Sequence, residues 1–224
     1  MARFTRMQVL NTVYATGVLP LYYHADLEVM KNVATACWQG GLGLLEFTNR
    51  GDRAFEVFIE LEKYCASALP GLVTGAGTVL DAPTASLYIN SGASFIVGPN
   101  LNPEVARLCH RRRVPYIAGC ATISEISQAE ELGCEIVKIF PAQQLGGPAF
   151  VKAVLGPCPG TALMATGGIS LSEECLTAYF QAGAICVGVG SNLFTDDLIR
   201  KKDFLALTEK IRDVIHLIKK IKNK

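Results

Sequence analysis

A chain of 224 residues, half of them hydrophobic, carries 21 basic and 20 acidic side chains for a formal charge of +1. That length suits one sizeable core and is short for two ordinary domains. The balanced charge excludes a global field that would gather nucleic acid or a membrane surface, and no apolar run is long enough to span a bilayer.

Arg3 and Arg6 are not followed by the apolar region of a secretory leader. The first strand-like run is VLPLYY at 18–23, followed by the helical stretch DLEVMKNVATACWQGG at 26–41. GLLEFT at 43–48 and RAFEVFIELEKYCASA at 53–68 repeat the alternation. GLVTGAG at 71–77 precedes a helix start at Asp81, and SFIVGP at 94–99 precedes NPEVARLCHRRR at 102–113. Four more apolar runs follow: VPYIAG at 114–119, EIVKIF at 135–140, ALMATGG at 162–168 and AICVGVG at 184–190. Asp26, Asp81, Asn102 and Ser172 have side-chain oxygens suited to capping free N–H groups. Gly41, Gly92, Gly133 and Gly183 mark helix ends. The chain closes with a helix over about 203–221, where Ile211, Ile215, Ile218 and Ile221 form an apolar stripe under a basic face. Nine of the 21 Lys and Arg lie between Arg200 and Lys224.

Eight apolar strands, each trailed by a helical stretch, predict parallel pairing with both sheet faces covered. The reading is a single (β/α)₈ TIM barrel over residues 1–224, with a doubly wound open sheet as the alternative. The eight cysteines form no C-x-x-C pair and fall in different elements, which points to reduced thiols in a cytoplasmic protein. His24, His110 and His216 are scattered, so no metal site and no cofactor is expected.

Lys138 interrupts the apolar run EIVKIF, and a buried ammonium needs either a partner or a lowered pKa. Side chains alternate along a strand, so Lys138 and Phe140 share one face, as do Leu44, Glu46 and Thr48. The all-apolar alternate sets suit the helix layer, which turns Lys138 and Glu46 into the barrel. They are either a structural ion pair or two catalytic groups, an amine that attacks a carbonyl and a carboxylate that shuttles protons. TGGIS after the seventh strand, with Gly190 and Ser191 after the eighth, offers backbone N–H groups to a phosphate or another oxyanion.

LEFTNR, GAGTVLD, FIVGPNLNPEV, VKIFPA with its following glycines, and TGGIS occur in one order over nearly the whole chain. In these motifs the sequence resembles the class I aldolases that act on 2-keto-3-deoxy-6-phosphogluconate and 4-hydroxy-2-oxoglutarate. The resemblance implies Lys138 as the Schiff-base lysine and Glu46 as general acid and base. It implies Arg50 and Thr78 on the pyruvyl carboxylate, with Pro99 and Phe140 lining the pocket. Thr166, Gly167, Gly168 and Ser191 would face the distal end of the substrate, including a phosphate. A homotrimer, a phosphorylated 2-keto acid substrate and no metal are also implied. Departures fall at Asn49, where the family usually has an apolar residue, and at Ala118 and Ile123, which stand in place of prolines. Tyr22, Tyr23 and His24 occupy the end of the first strand, where some relatives place a basic residue. The other readings are a barrel isomerase or synthase acting on a phosphorylated metabolite, and a sugar-acid-binding relative without turnover.

Overall fold

Eight parallel strands pair in sequence order and close on themselves in the computed structural model, which describes residues 3–223. Met1, Ala2 and Lys224, included in the expected domain bounds, lie outside the described residues. The first half runs α1 (Arg6–Thr16), β1 (Val18–Tyr22), α2 (Leu27–Gly40), β2 (Leu44–Thr48), α3 (Ala54–Ala68), β3 (Val73–Gly77), α4 (Ala82–Asn90) and β4 (Ile96–Val97). The second half runs α5 (Pro103–Arg112), β5 (Tyr116–Cys120), α6 (Ile123–Glu131), β6 (Val137–Ile139), α7 (Pro148–Leu155), β7 (Leu163–Thr166), α8 (Glu173–Gln181), β8 (Cys186–Val189), α9 (Asp196–Arg200) and α10 (Phe204–Lys222). β8 returns to pair with β1, with Val18 opposite Val187, so no sheet edge remains and the open-sheet alternative is excluded.

The expected caps act as N-caps: Asp26, Asp81, Asn102 and Ser172 each accept a hydrogen bond from a backbone N–H of the first turn. The isoleucine stripe of α10 is buried, and the helix lies on α2. Gly40 permits that approach, since a Cβ there would run into the Ile211 side chain. All eight cysteines are free, and six of them are buried.

Two hydrophobic layers result. The larger one fills the space between strands and helices. The smaller one lies inside the barrel and gathers Leu19, Leu44, Val73, Phe95, Val97, Ile117, Ile136, Met164 and Cys186. Its floor is α1, which contributes Val9, Leu10 and Val13. The sequence reading did not find α1, because RMQVLNTVYAT intersperses polar and apolar positions without a clear stripe. A capping box between Thr5 and Gln8 starts it. Arg6 ties it to Glu135 at 2.5 Å and to the Gly133 carbonyl at 2.6 Å, at the base of β6.

Candidate active site

On β2, β6 and β7 the inward face changes character two residues further along. Leu44 is followed on that face by Glu46, Ile136 by Lys138 and Met164 by Thr166. These polar side chains are buried: Glu46 is 2%, Lys138 6% and Thr166 5% exposed. They form the floor of a cavity of about 560 Å³ at the C-terminal ends of the strands. Lys138, Glu46, Arg50, Thr78, Pro99, Phe140, Thr166, Gly167, Gly168 and Ser191 all line this one cavity.

Lys138 is the middle residue of β6, paired to Gly119 on one side and Met164 on the other. Its ammonium nitrogen sits 4.6 Å from the centroid of the Phe140 ring. Burial pushes its pKa down, Glu46 pushes it up and Arg50 down again, with burial the largest effect. Glu46 reaches in from β2, and burial raises its pKa above the ordinary carboxylate value, against the opposing pull of Lys138 and Arg50. The two groups sense each other through space, and no direct ion pair or hydrogen bond joins them among the described residues. Glu46 Oε2 and Thr166 Oγ1 are buried with no hydrogen-bond partner. Orphaned oxygens of this kind are costly in a settled core, and here they face a cavity that a polar ligand can fill.

Interior glycines make room for these side chains. A Cβ at Gly77 would collide with the Glu46 carboxylate, and one at Gly188 with the Thr166 hydroxyl. A Cβ at Gly75 would enter the Phe95 ring. The sequence shows GAG and GVG only as glycine-rich strand ends; the closed barrel makes them the holes into which Phe95, Glu46 and Thr166 fit.

The β2–α3 loop carries Arg50, whose Nε donates to Thr78 Oγ1 at 3.4 Å. Thr78 adopts the left-handed region at φ +59°, a costly conformation for a β-branched residue and one found where a site holds the backbone in place. Asn49 accepts a hydrogen bond from the Tyr88 hydroxyl at 2.9 Å, which gives this departure from the family pattern a local partner. Tyr23 packs edge-on against Phe47, and a Cβ at Gly51 would strike its hydroxyl end. His24 does not line the cavity; its Nδ1 accepts from the Asp26 N–H at 3.0 Å.

At the opposite wall, Gly167 and Gly168 have φ of +103° and +76°, so the TGG turn needs glycine for its backbone alone. Gly168 also packs against Gln143, where a Cβ would lie 2.7 Å from that side chain. Sequence reasoning missed Asn192, Phe194 and Asp196, which line this wall. The only signal for Asp196 was a Thr-Asp-Asp helix start after the eighth strand, which marks α9 but says nothing of where its first turn faces.

The family model for KDPG and KHG aldolase matches residues 9–210. A 2-dehydro-3-deoxy-phosphogluconate aldolase of Haemophilus influenzae is 30% identical over 216 residues, spanning 96% of this chain and 99% of the relative. One of the same name from Pseudomonas aeruginosa is 37% identical over 172 residues, spanning 76% and 74%. The KDPG aldolase of Legionella pneumophila, solved with pyruvate captured as a covalent carbinolamine, superposes with a TM-score of 0.82 at 28% identity. That alignment covers 91% of this chain and 96% of the Legionella chain.

Proposed function

Because the chain belongs to the KDPG and KHG aldolase family, a family of carbon–carbon lyases, we propose that it cleaves a 4-hydroxy-2-keto acid to pyruvate and an aldehyde through a Schiff base on Lys138. One observation carries this reading: a lysine amine held in an apolar strand, with its pKa lowered by burial, shares a cavity with an unpartnered carboxylate. The bland alternative of a structural ion pair calls for direct contact, and Lys138 and Glu46 make none.

Lys138 Nζ attacks the C2 carbonyl and gives a carbinolamine, the species in which pyruvate was captured in the Legionella pneumophila KDPG aldolase. Loss of water leaves an iminium, which draws the electron pair of the C3–C4 bond as that bond breaks. Glu46 takes the C4 hydroxyl proton, the aldehyde leaves, and the remaining enamine is protonated at C3 by the same carboxyl group. Water then attacks C2, freeing pyruvate and the Lys138 amine. A raised Glu46 pKa suits a group that must hold a proton in one half of the cycle and lose it in the other.

Arg50, steadied by Thr78, is placed to hold the pyruvyl carboxylate through its planar fork. Pro99 and Phe140 flank the reacting carbons. Thr166, Gly167, Gly168 and Ser191 receive the distal end of the substrate, a phosphate if the substrate carries one. The N–H groups of Gly168 and Ser191 donate to no acceptor among the described residues and are free for that end. We further propose a homotrimer, to be checked by light scattering against three times the 24.1 kDa chain mass, and a cytoplasmic location in keeping with eight unpaired cysteines.

Incubation with pyruvate and borohydride followed by intact-mass measurement tests the chemistry. The aldolase gains one reduced pyruvyl adduct on Lys138. A barrel isomerase or synthase, or a binding relative without imine chemistry, gains none.

A further inference from the structure

The cavity is divided by charge. Its only cationic lining residues among those described are Lys138 and Arg50, and both act electrostatically on Glu46 at the pyruvyl end. No cationic residue lines the opposite wall, where β7, β8 and β1 end; the Lys210 ammonium lies next to it and donates to the Asn192 and Leu193 carbonyls at 2.7 and 3.2 Å. It has Tyr22, Ser191, Asn192 and the carboxylate of Asp196. Tyr22 leans on Phe194, ring centroids 4.9 Å apart, so the β1 end and the loop before α9 form one surface. Asn192 is held back by a 2.6 Å hydrogen bond from its amide to the Ile169 carbonyl.

We infer that Asp196 is a specificity residue that turns the distal end of this cavity toward a hydroxyl-bearing, uncharged aldehyde portion and against a phosphorylated one. A phosphate dianion has only acceptors to offer. The free N–H groups of Gly168 and Ser191 can serve it, but it must also sit beside an acidic side chain on a wall that no cationic residue lines, the Lys210 ammonium being engaged by the Asn192 and Leu193 carbonyls. A hydroxyl group both accepts and donates. It can take hydrogen bonds from the two peptide N–H groups and give one to Asp196. Burial, together with the Asp196 carboxylate, pushes the Tyr22 phenol above its ordinary pKa, so Tyr22 stays neutral and able to donate to the same tail. The inference rests on the aldolase reading above and names the class of aldehyde it handles: short polyol aldehydes without phosphate.

The test runs the reaction in the aldol direction, with pyruvate and either D-glyceraldehyde or D-glyceraldehyde 3-phosphate. Wild-type kcat/KM should favour the unphosphorylated aldehyde. Asp196→Asn should raise kcat/KM for the phosphorylated aldehyde about 10-fold, equivalent to about 1.4 kcal/mol, and lower that for glyceraldehyde. Asp196→Lys should push the ratio further the same way. A wild-type preference for the phosphorylated aldehyde, or a ratio unmoved by both substitutions, overturns the inference. Borohydride trapping of pyruvate on the same preparations separates the two levels. An intact adduct with an unmoved ratio removes only the role of Asp196, whereas a wild type that forms no adduct removes the aldolase reading and this inference with it.

Discussion

The lower and upper halves of the barrel interior are built from the same strands and the same inward-facing parity, yet they do opposite things. Below, Leu44, Val73, Phe95, Ile136 and Met164 fill the lumen and α1 seals it. Above, Glu46, Lys138 and Thr166 stand one pleat further along and leave oxygens without partners around an open cavity. The lower half contributes stability through burial of apolar surface. The upper half gives some of that up, because a buried amine and a buried carboxyl group without direct contact are each desolvated with only a through-space attraction in return. A (β/α)₈ barrel thus separates stability from chemistry along its axis, and two residues of strand are enough to cross from one regime to the other.

The sharpest way to break this division is to carry the apolar layer upward. Lys138→Met should abolish pyruvate trapping and lower cleavage by roughly 10⁴-fold or more, the scale seen when a covalent nucleophile is lost. It should also raise Tm, by about 2–4 °C for each kcal/mol gained in a domain of this size. A Tm that falls, in a scanning calorimetry comparison, would show that Lys138 stabilises the fold and restore the structural reading of this residue.

Glu46→Gln retains the shape of the upper layer and removes its carboxyl group. Turnover should drop by roughly 10²–10⁴-fold, the usual range for a lost general acid or base. Borohydride trapping should persist at a reduced rate. Stopped-assay kinetics showing an unchanged kcat would take Glu46 out of the mechanism.

The converse experiment hollows out the lower layer. Phe95 occupies the space left by Gly75, so Phe95→Ala should cost about 3–5 kcal/mol of stability. Urea denaturation will read the loss as a lower midpoint. Activity per folded molecule should change little, since Phe95 lies below the cavity floor. A large loss of kcat in a fully folded sample would mean that the two halves are coupled.

The smallest effect is a pH dependence. Lys138 has a folded-state pKa below its ordinary value of 10.5. The rate of pyruvate trapping should therefore climb with pH and level off before 10.5, as the neutral amine becomes fully populated. The same depression predicts that folding stability rises with pH between the folded and the unfolded value, because there the unfolded chain binds the extra proton. In Lys138→Met that part of the rise should vanish. A trapping rate that is flat with pH, or still rising past 10.5, contradicts the lowered pKa.

Much of this molecule was readable along the chain, and particular residues show why. Strand parity alone turned Lys138 and Glu46 into the barrel, because alternation in a strand is a local property of the backbone. The caps at Asp26, Asp81, Asn102 and Ser172 were legible for the same reason, since an N-cap bonds N–H groups two or three residues away. Order and spacing of the apolar runs pointed to an eight-stranded barrel, and the pairing of β8 with β1 excluded the open sheet. What the chain could not announce involves residues brought together from afar. The glycines at 75, 77 and 188 look like turn formers until closure places Phe95, Glu46 and Thr166 against them. Thr78 gives no sign of its left-handed backbone, which its place beside Arg50 and the barrel rim imposes. α1 has no pattern of its own and becomes a floor only because an open barrel end needs one. Asp196 looks like a helix-start residue until the last loop brings it to the cavity wall near Tyr22. Periodicity and capping act over a few residues and can be read from the sequence; cavity shape, charge distribution and close approach are sums over distant segments and exist only once the barrel has closed.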